Sequence, residues 1–306
     1  MISTTLFIYT ETSLHAGVGS TVSVIDLPIQ RERTTQFPMV QGSGIKGALR
    51  SQVSDIEARE AYIDVIFGGE EVDPQNNGKK ISFAGAIAVG DARVVLFPVR
   101  SLADVFAYVT CPAVLARVRR DVVGFPTLSE KPLPEAALVT KSRRSTVTAS
   151  GRVVLEEFSF AASENAVVDE IAAWLATNAL PAGEEYDYWR EKLQTSLVIL
   201  PDDAFRDFVL NSTEVVTRVR LDSYTKTVMP GALWTQEMLP SDTLLMSAVV
   251  ARSPRSRLVN ADTGEPFTPQ DVINRIHSDI IPTRIQLGGD ETTGQGFVAL
   301  RWYGGR

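Results

Sequence analysis

A short glycine-rich segment near the N-terminus has the residue types that bind a phosphate group. Gly42, Gly44 and Gly47 lie at the start of a predicted helix, with Lys46 among them and Arg50 one turn later. The free N–H groups and the positive dipole end at a helix start favour an anion. The spacing lacks the G-x-x-x-x-G-K-[ST] pattern of a nucleotide-binding P-loop. The segment predicts either a phosphate-backbone site or a glycine turn ahead of a solvated helix.

The first of the two histidines is a candidate acid–base group. His15 stands just before a glycine turn, and imidazoles exchange protons near neutral pH. His277 is far away in sequence on a predicted helix, so the chain shows no paired-imidazole arrangement. A structural role for His15 is the alternative.

A second glycine-rich segment lies close to the C-terminus. Asp290 and Glu291 make it acidic, which disfavours direct contact with phosphate. The segment predicts either a loop that approaches another chain closely or a hairpin-like connection that packs against the N-terminal glycine turn. Its glycines are Gly288, Gly289, Gly294 and Gly296.

The charge of the chain is unevenly distributed. The net charge is −7, which by itself opposes nucleic-acid binding. The segment between Leu115 and Arg152, however, contains eight basic residues and only three acidic ones. Because the local field governs contact, an acidic protein with a basic groove can still bind RNA. This segment, with Arg143 and Arg144, predicts either a channel lining or a solvated loop.

Composition limits the class of protein. The chain has 306 residues, of which 44% are hydrophobic and 22% charged, as in a globular protein. A single cysteine, Cys111, excludes an intrachain disulfide and a cysteine metal cage. No apolar run approaches the ~18 residues of a membrane span, and no basic stretch precedes the first apolar residues. We expect a cytoplasmic protein with one decorated domain.

The elements that must position these residues alternate between strands and helices. Thr4–Tyr9 has the β-branched and aromatic composition of a buried first strand. Residues 42–53 predict a helix with Ile45, Leu49 and Val53 on one face. Two runs around Gly90-Asp91 predict a hairpin. Further helices are predicted at 101–104 and 112–120.

A long hairpin is predicted over residues 213–240. Its arms are Val215–Leu221 and Ala232–Glu237, and the polar stretch 222–231 joins them. The tip is too polar for a core. An ordinary surface hairpin is the alternative to a nucleic-acid contact.

Three segments together resemble one family. They contain the strings TSLHAGVG (12–19), IDLPIQRE (25–32) and GSGIKGALR (42–50), then TRVRLD (217–222) with GALW (231–234), and LGGDETTGQGF (287–297). The sequence is similar to the RAMP superfamily of CRISPR proteins, and within it to the backbone subunit of the Cmr type (type III-B). No motif in the middle of the chain, roughly 105–204, contributes to the resemblance.

The resemblance implies a fold and an activity. The fold would be α+β, a ferredoxin-like (RRM-like) core forming a single domain over 1–306. A basic loop insertion at about 121–151 and a thumb-like hairpin at about 213–240 would decorate it. The protein would bind guide RNA, polymerise head to tail along it with other Cmr subunits as partners, and cut complementary target RNA at regular intervals.

The resemblance also assigns roles to residues. Asp26 would be catalytic, with His15 a weaker candidate. A carboxylate there can hold a divalent ion, Mg²⁺ or Mn²⁺, or align the 2'-hydroxyl for attack on phosphorus; otherwise an aspartate before Leu-Pro is an ordinary turn residue. The residues expected to bind RNA are Arg31, Ser43, Lys46, Arg50, Arg143, Arg144, Arg218, Arg220, Lys226, Met229 and Trp234.

Three competing functions stay open on the sequence. The first is an RNA scaffold in which Asp26 is not catalytic. The second is a guide-processing ribonuclease of the same superfamily, disfavoured by the lack of a histidine pair and by the thumb-like hairpin. The third, an unrelated nucleotide-binding α/β enzyme, has little support because the P-loop pattern is missing.

Overall fold

The computed structural model describes residues 1–20, 24–54, 60–73, 79–255 and 264–304. Within these ranges the chain forms seventeen strands. The strands are β1 (Ile2–Thr10), β2 (Met39–Val40), β3 (Gly68–Asp73), β4 (Lys79–Ala84), β5 (Ile87–Val89), β6 (Ala92–Arg100), β7 (Phe106–Thr110), β8 (Ala136–Val139), β9 (Thr148–Ala149), β10 (Arg152–Leu155), β11 (Phe158–Glu164), β12 (Leu197–Ile199), β13 (Glu214–Leu221), β14 (Val228–Met238), β15 (Leu244–Ala251), β16 (Arg284–Gln286) and β17 (Phe297–Tyr303).

Seven α-helices pack against or connect these strands in the described part of the chain. None of the described helices is both long enough and apolar enough to cross a bilayer. The helices are α1 (Gly42–Ser54), α2 (Glu60–Phe67), α3 (Pro112–Asp121), α4 (Ala166–Asn178), α5 (Asp187–Ser196), α6 (Asp202–Asn211) and α7 (Pro269–Arg275).

Most strands join one mixed sheet in the order β16-β17-β1-β15-β6-β7-β12-β8-β11-β10-β9. The β7/β12 and β8/β11 pairs are parallel, whereas β1 runs antiparallel to β15 and β17 on its two sides. Strands β13/β14 and β3/β4 form two separate ribbons. The mixture of helices with a largely antiparallel sheet confirms the predicted α+β class, and the ferredoxin-like order stays a prediction.

Strand β1 separates two hydrophobic clusters because its side chains alternate between the faces of the sheet. Leu6 and Ile8 belong to the cluster that contains the α1 face, and Phe7 and Tyr9 belong to the cluster that contains α4. The α1 residues Ile45, Leu49 and Val53 are fully buried, as their spacing predicted. Full burial of each such side chain stabilises the fold by about 2 kcal/mol.

The ribbon β13/β14 is the long hairpin predicted from the sequence. Thr217 pairs with Thr235 and Arg218 with Trp234 in an antiparallel register, which shifts between Val219 and Leu221. At the outer end, Asp222 N donates to Thr227 O. The outer half of the hairpin is exposed to solvent. The hairpin therefore projects from the body of the protein, and its root joins β15 close to the end of β1.

Two local predictions were wrong. Gly90-Asp91 does not close a hairpin, because β5 pairs with β15 and β6 pairs with β2, β7 and β15. The start of α1 docks at this junction instead: Gly42 N donates to Asp91 Oδ1 at 2.9 Å. The segment 101–104, predicted as a helix, is a series of bends in which Leu102 N donates to Val154 O.

The basic segment 121–151 is also more ordered than a loop insertion. Its residues 136–139 form β8, which lies inside the sheet between β12 and β11. Ala137 is fully buried and Val139 nearly so. Pairing on both edges makes these residues part of the sheet, although prolines and serines around them resemble a loop.

Candidate catalytic loop and nucleic-acid surface

Asp26 lies on an exposed loop that is hydrogen bonded to the root of the hairpin. Its Oδ2 accepts hydrogen bonds from Thr235 N at 2.7 Å and from Thr235 Oγ1 at 2.9 Å. Asp26 N in turn donates to Thr235 Oγ1 at 3.0 Å. Among the described residues, the hydrogen bonds that other residues donate to this carboxylate go to Oδ2. One oxygen of the carboxylate is therefore fixed, and the other faces solvent.

These contacts determine the charge of Asp26. The hydrogen bond from Thr235 N, followed by that from its hydroxyl, holds the pKa of Asp26 below its ordinary value. Asp26 is therefore an anion at neutral pH. In that state it cannot donate a proton, but it can accept a hydrogen bond from a hydroxyl group or bind a cation.

The backbone after Asp26 continues along the same strand. Leu27 N donates to Thr235 O at 3.1 Å, and Glu237 N donates to Leu27 O at 2.9 Å. Leu27 and Gln236 form an isolated parallel bridge. The loop thus pairs with the root of the hairpin in the manner of a short third strand. Neither Thr235 nor Glu237 was identified from the sequence, since nothing in local spacing relates residue 26 to residue 235.

Glu237 forms a buried polar cluster behind this loop. Its carboxylate accepts hydrogen bonds from Arg31 at 2.5 Å, Thr213 Oγ1 at 2.8 Å and Ile29 N at 3.0 Å. The guanidinium of Arg31 also donates to the backbone oxygens of Gln36 and Val209. Arg31, predicted to contact RNA, has a side chain that is 13% exposed and that makes three hydrogen bonds within the fold.

His15 lies beside the same root. Its Nδ1 is 2.8 Å from Glu237 O, and its ring covers Gly17, where a Cβ atom would be 2.5 Å from Nε2. No hydrogen bond joins His15 to Asp26 among the described residues. His277 has a separate setting, with Nε2 2.9 Å from Thr4 Oγ1 and the ring 5.6 Å from that of Trp302.

The C-terminal glycine loop packs against the N-terminal segment, as one of the two predicted alternatives states. Gly289 N donates to His15 O at 3.0 Å, and Gly296 N donates to Ser13 O at 2.9 Å. Gly288 has a φ of +81°, and a Cβ atom there would be 2.5 Å from His15 O. The approach is too close for a side chain, which explains the glycine.

The Asp26 loop and the C-terminal glycine loop contact opposite faces of β14. Thr235 binds Asp26, and the next residue, Gln236, donates from Nε2 to Asp290 Oδ2 at 2.6 Å. Neighbouring residues of a strand point to opposite faces, so the hairpin root lies between the two aspartates. Asp290 is also 3.6 Å from the guanidinium of Arg218. The charge of Arg218, predicted to track phosphate, is thus partly balanced.

The remaining predicted hairpin residues differ in exposure. Arg220 and Lys226 are exposed, Met229 is 37% exposed and Trp234 is half-buried. The sequence reading missed Tyr224 at the tip, which is 94% exposed. An aromatic ring held in solvent can stack on a nucleobase.

Two of the α1 residues predicted to bind phosphate, Lys46 and Arg50, line an open cavity of about 920 Å³. Lys46 Nζ donates to Ile87 O at 3.0 Å, and burial, then the charge of Arg50, lowers the pKa of Lys46. Arg50 lies 3.4 Å from Asp64, and Ser43 is exposed in the first turn. Lys80 and Arg252 also line the wall, as does Glu70, which is 3.6 Å from Lys80 and balances part of this charge.

The basic residues Arg143 and Arg144 belong to a different surface, beside β8 and β11. They are exposed and line a cavity of about 330 Å³ with Lys141 and Glu164. Asp169 on α4 fixes the loop before them, since its carboxylate accepts hydrogen bonds from the backbone N of Lys141 and Ser142. The structure thus groups Asp26, His15 and the hairpin, and separates them from this cluster.

Comparison with known proteins identifies similar sequences. The family model described as the RAMP superfamily matches residues 7–299. The chain is 37% identical to a Pyrococcus furiosus protein named CRISPR system Cmr endoribonuclease Cmr4, over 96% of this chain and 93% of that protein. It is 25% identical to the CRISPR system CMR subunit Cmr4 of Saccharolobus solfataricus, over 97% and 95% of the two chains.

Solved structures share the fold. The crystal structure of oligomeric Cmr4 from Pyrococcus furiosus superposes with a TM-score of 0.69 at 30% identity, covering 99% of this chain and 98% of that one. A chain of the type III-B Cmr-beta complex bound to cognate target RNA also has a TM-score of 0.69, at 22% identity, over 99% and 97% of the chains. The second likeness bears on the fold alone.

Proposed function

This chain belongs to the RAMP superfamily, and we propose that it is the backbone subunit of a type III-B Cmr effector complex, which binds guide RNA and cleaves RNA paired to it. The similarity to the Pyrococcus furiosus endoribonuclease extends over nearly the full length of both chains. The Cmr4 crystal structure that superposes on this chain is described as oligomeric. Self-association head to tail along a guide, with other Cmr subunits as partners, fits that relationship. The cytoplasm is the compartment we propose.

The observation that carries the catalytic proposal is the setting of Asp26. It is an ionised, exposed carboxylate with one anchored oxygen, on a loop tied to a projecting hairpin. Such a group can accept the hydrogen bond of a 2'-hydroxyl and orient its oxygen toward the adjacent phosphorus. Attack then forms the bond from O2' to phosphorus and breaks the bond from phosphorus to O5'. The O2' proton passes to solvent, and O5' gains one from solvent, giving a cyclic phosphate and a 5'-hydroxyl.

A divalent cation, Mg²⁺ or Mn²⁺, would be bound at this site jointly by the protein and the RNA. The described residues contain no cluster of three or more His, Cys, Asp or Glu side chains suited to a metal ion. Mg²⁺ is commonly held by one or two carboxylates together with waters and substrate phosphates. Asp26, with its free Oδ1, would be the protein ligand. When bound, the ion would neutralise charge that develops on the phosphate.

The rest of the surface supports guide binding. Lys46 and Arg50 in the α1 cavity would contact guide phosphates, with Ser43 at the helix start. Arg143 and Arg144 would extend the path of the RNA. The hairpin would lie against the guide–target duplex through Arg220, Lys226, Met229 and Trp234, and base pairing would supply the sequence specificity.

The test is cleavage of labelled RNA complementary to the guide by the reconstituted complex. We expect regularly spaced cuts by wild type, and loss of these cuts with retained target binding in Asp26→Asn. Asp207→Asn, which changes an exposed aspartate on α6, is the matched control and should cut normally. Loss of cleavage in chelator, restored by Mg²⁺, supports the cation. Cuts by Asp26→Asn at the wild-type rate would leave a scaffold whose nuclease lies elsewhere.

A further inference from the structure

We propose that Thr235 is a positioning residue for target cleavage, which holds Asp26 in the orientation that the reaction requires. The inference rests on the proposed catalytic role of Asp26 and deepens it. It assigns to the hairpin, besides any contact with RNA, the task of setting the geometry of the carboxylate.

The Thr235 hydroxyl both accepts and donates a hydrogen bond. Oγ1 accepts a hydrogen bond from Asp26 N at 3.0 Å and donates its proton to Asp26 Oδ2 at 2.9 Å. A second acceptor, Val24 O, is 3.5 Å away and offers a weaker alternative. Thr235 N gives Oδ2 another hydrogen bond at 2.7 Å. A single residue thus fixes both the backbone and the side chain of Asp26.

This arrangement restricts the rotation of the carboxylate. Asp26 is exposed, and an aspartate on an exposed loop would otherwise sample several orientations of its terminal group. With Oδ2 held twice, Oδ1 keeps one direction, away from the hairpin strand. A carboxylate that is held in its reactive orientation promotes the reaction more than a mobile one, because the entropy cost of orienting it is met during folding.

The strand segment that carries Thr235 is held rigidly in the protein. Thr235 is followed by Gln236, Glu237 and Met238, which are all buried. Gln236 is bound to Asp290 from the glycine loop, and Glu237 is bound to Arg31. The strand that holds Asp26 is therefore itself fixed on both faces, by Glu237 on the face of Thr235 and by Gln236 on the opposite one, so the direction of Oδ1 is tied to the body of the protein.

The chain offers a matched set of variants. Thr235→Val keeps the β-branched shape and the backbone N–H but removes the hydroxyl, and Thr235→Ser restores the hydroxyl. Thr217 lies directly across the ribbon from Thr235 and is exposed. Thr217→Val is therefore the same chemical change on the same face of the hairpin, at a residue that does not bind Asp26.

The measurement is the single-turnover rate of target cleavage by the assembled complex at saturating target, together with the dissociation constants for guide and target RNA. We expect Thr235→Val to lower the rate about tenfold, the loss typical of one or two hydrogen bonds. Both dissociation constants should stay within about twofold of wild type. Thr235→Ser and Thr217→Val should cut within about twofold of the wild-type rate.

Several results would overturn the inference. A wild-type rate in Thr235→Val would show that the hydroxyl is dispensable, and loss of RNA binding along with cleavage would show a structural role. Relative to the residual single-turnover rate of Asp26→Asn, the double variant with Thr235→Val should show no further loss; an additional tenfold loss would mean that Thr235 acts without Asp26. Retained cleavage by Asp26→Asn alone would instead refute the proposed function, so the two failures can be told apart.

Discussion

Arg31 and Glu237 form an ion pair of 2.5 Å in which the two side chains are only 13% and 4% exposed. The pair connects the segment after the Asp26 loop to the hairpin root, since Glu237 also accepts a hydrogen bond from Ile29 N. A buried pair contributes little net stability compared with apolar residues, but the loss of one partner leaves an uncompensated charge. The pair therefore makes the Asp26 loop and the hairpin one structural unit.

We predict that Glu237→Gln lowers the free energy of unfolding by about 3 kcal/mol, because Arg31 would keep its charge without a counter-ion. Urea denaturation of the isolated chain measures the change. Asp207→Asn removes the exposed partner of Arg206 and should cost less than about 1 kcal/mol. Equal losses in the two variants would contradict the buried role of Glu237.

A second prediction concerns the close approach of the glycine loop to the N-terminal segment. Gly288 and Gly294 have φ angles of +81° and +78°, but only a Cβ atom at Gly288 would meet a neighbour, His15 O at 2.5 Å. Gly294→Ala should cost about 1 kcal/mol from backbone strain. Gly288→Ala should cost about 2 kcal/mol more, because the loop must move away. Thermal unfolding of the two variants tests this, and similar losses would disprove the tight contact.

A third prediction addresses guide binding at α1. Each phosphate contact on a single strand contributes a slope of about 0.7 to the dependence of log affinity on log salt concentration. Lys46→Gln or Arg50→Gln should therefore weaken guide binding and reduce the slope by about 0.7 each. Arg206→Gln, at an exposed position of α6, is the control and should leave the slope unchanged. Unaltered slopes in the α1 variants would place the guide elsewhere.

A fourth prediction concerns pH and the loop that carries Arg143 and Arg144. Partial burial raises the pKa of Asp169, but hydrogen bonds from Thr140 and from the backbone of Lys141 and Ser142 outweigh it, and the pKa lies below the ordinary 3.8. Since the folded-state value is the lower one, the ionised group stabilises the fold at neutral pH. That stabilisation is lost as the pH falls below 3.8.

Asp169→Asn should therefore lower the free energy of unfolding by about 1 kcal/mol at neutral pH. The difference from wild type should shrink as the pH falls through the acidic range. The neighbouring Glu170 is exposed on the same helix, so Glu170→Gln is the matched control and should show little change. Urea denaturation at a series of pH values measures both. A loss that is constant with pH would contradict the role of the ionised carboxylate.

The sequence by itself determined the elements that depend on local pattern. Apolar residues at helical spacing identified the buried face of α1, and two extended arms around a polar stretch identified the long hairpin. Glycines at both ends of the chain indicated two tight loops, and one stated alternative, that these segments pack together, agrees with the hydrogen bonds from Gly289 N to His15 O and from Gly296 N to Ser13 O. Motif resemblance marked Asp26 as the candidate catalytic residue.

The tertiary structure decided which partner each polar residue has. Asp26 and Thr235 are 209 residues apart, and no periodicity relates them, because their contact depends on how the strands assemble. For the same reason, nothing in the local sequence indicated that Arg31 pairs with Glu237, and the runs on either side of Gly90 resembled a hairpin although these strands pair with others. Local spacing predicts the conformation of a segment, whereas long-range pairing determines the environment of its side chains.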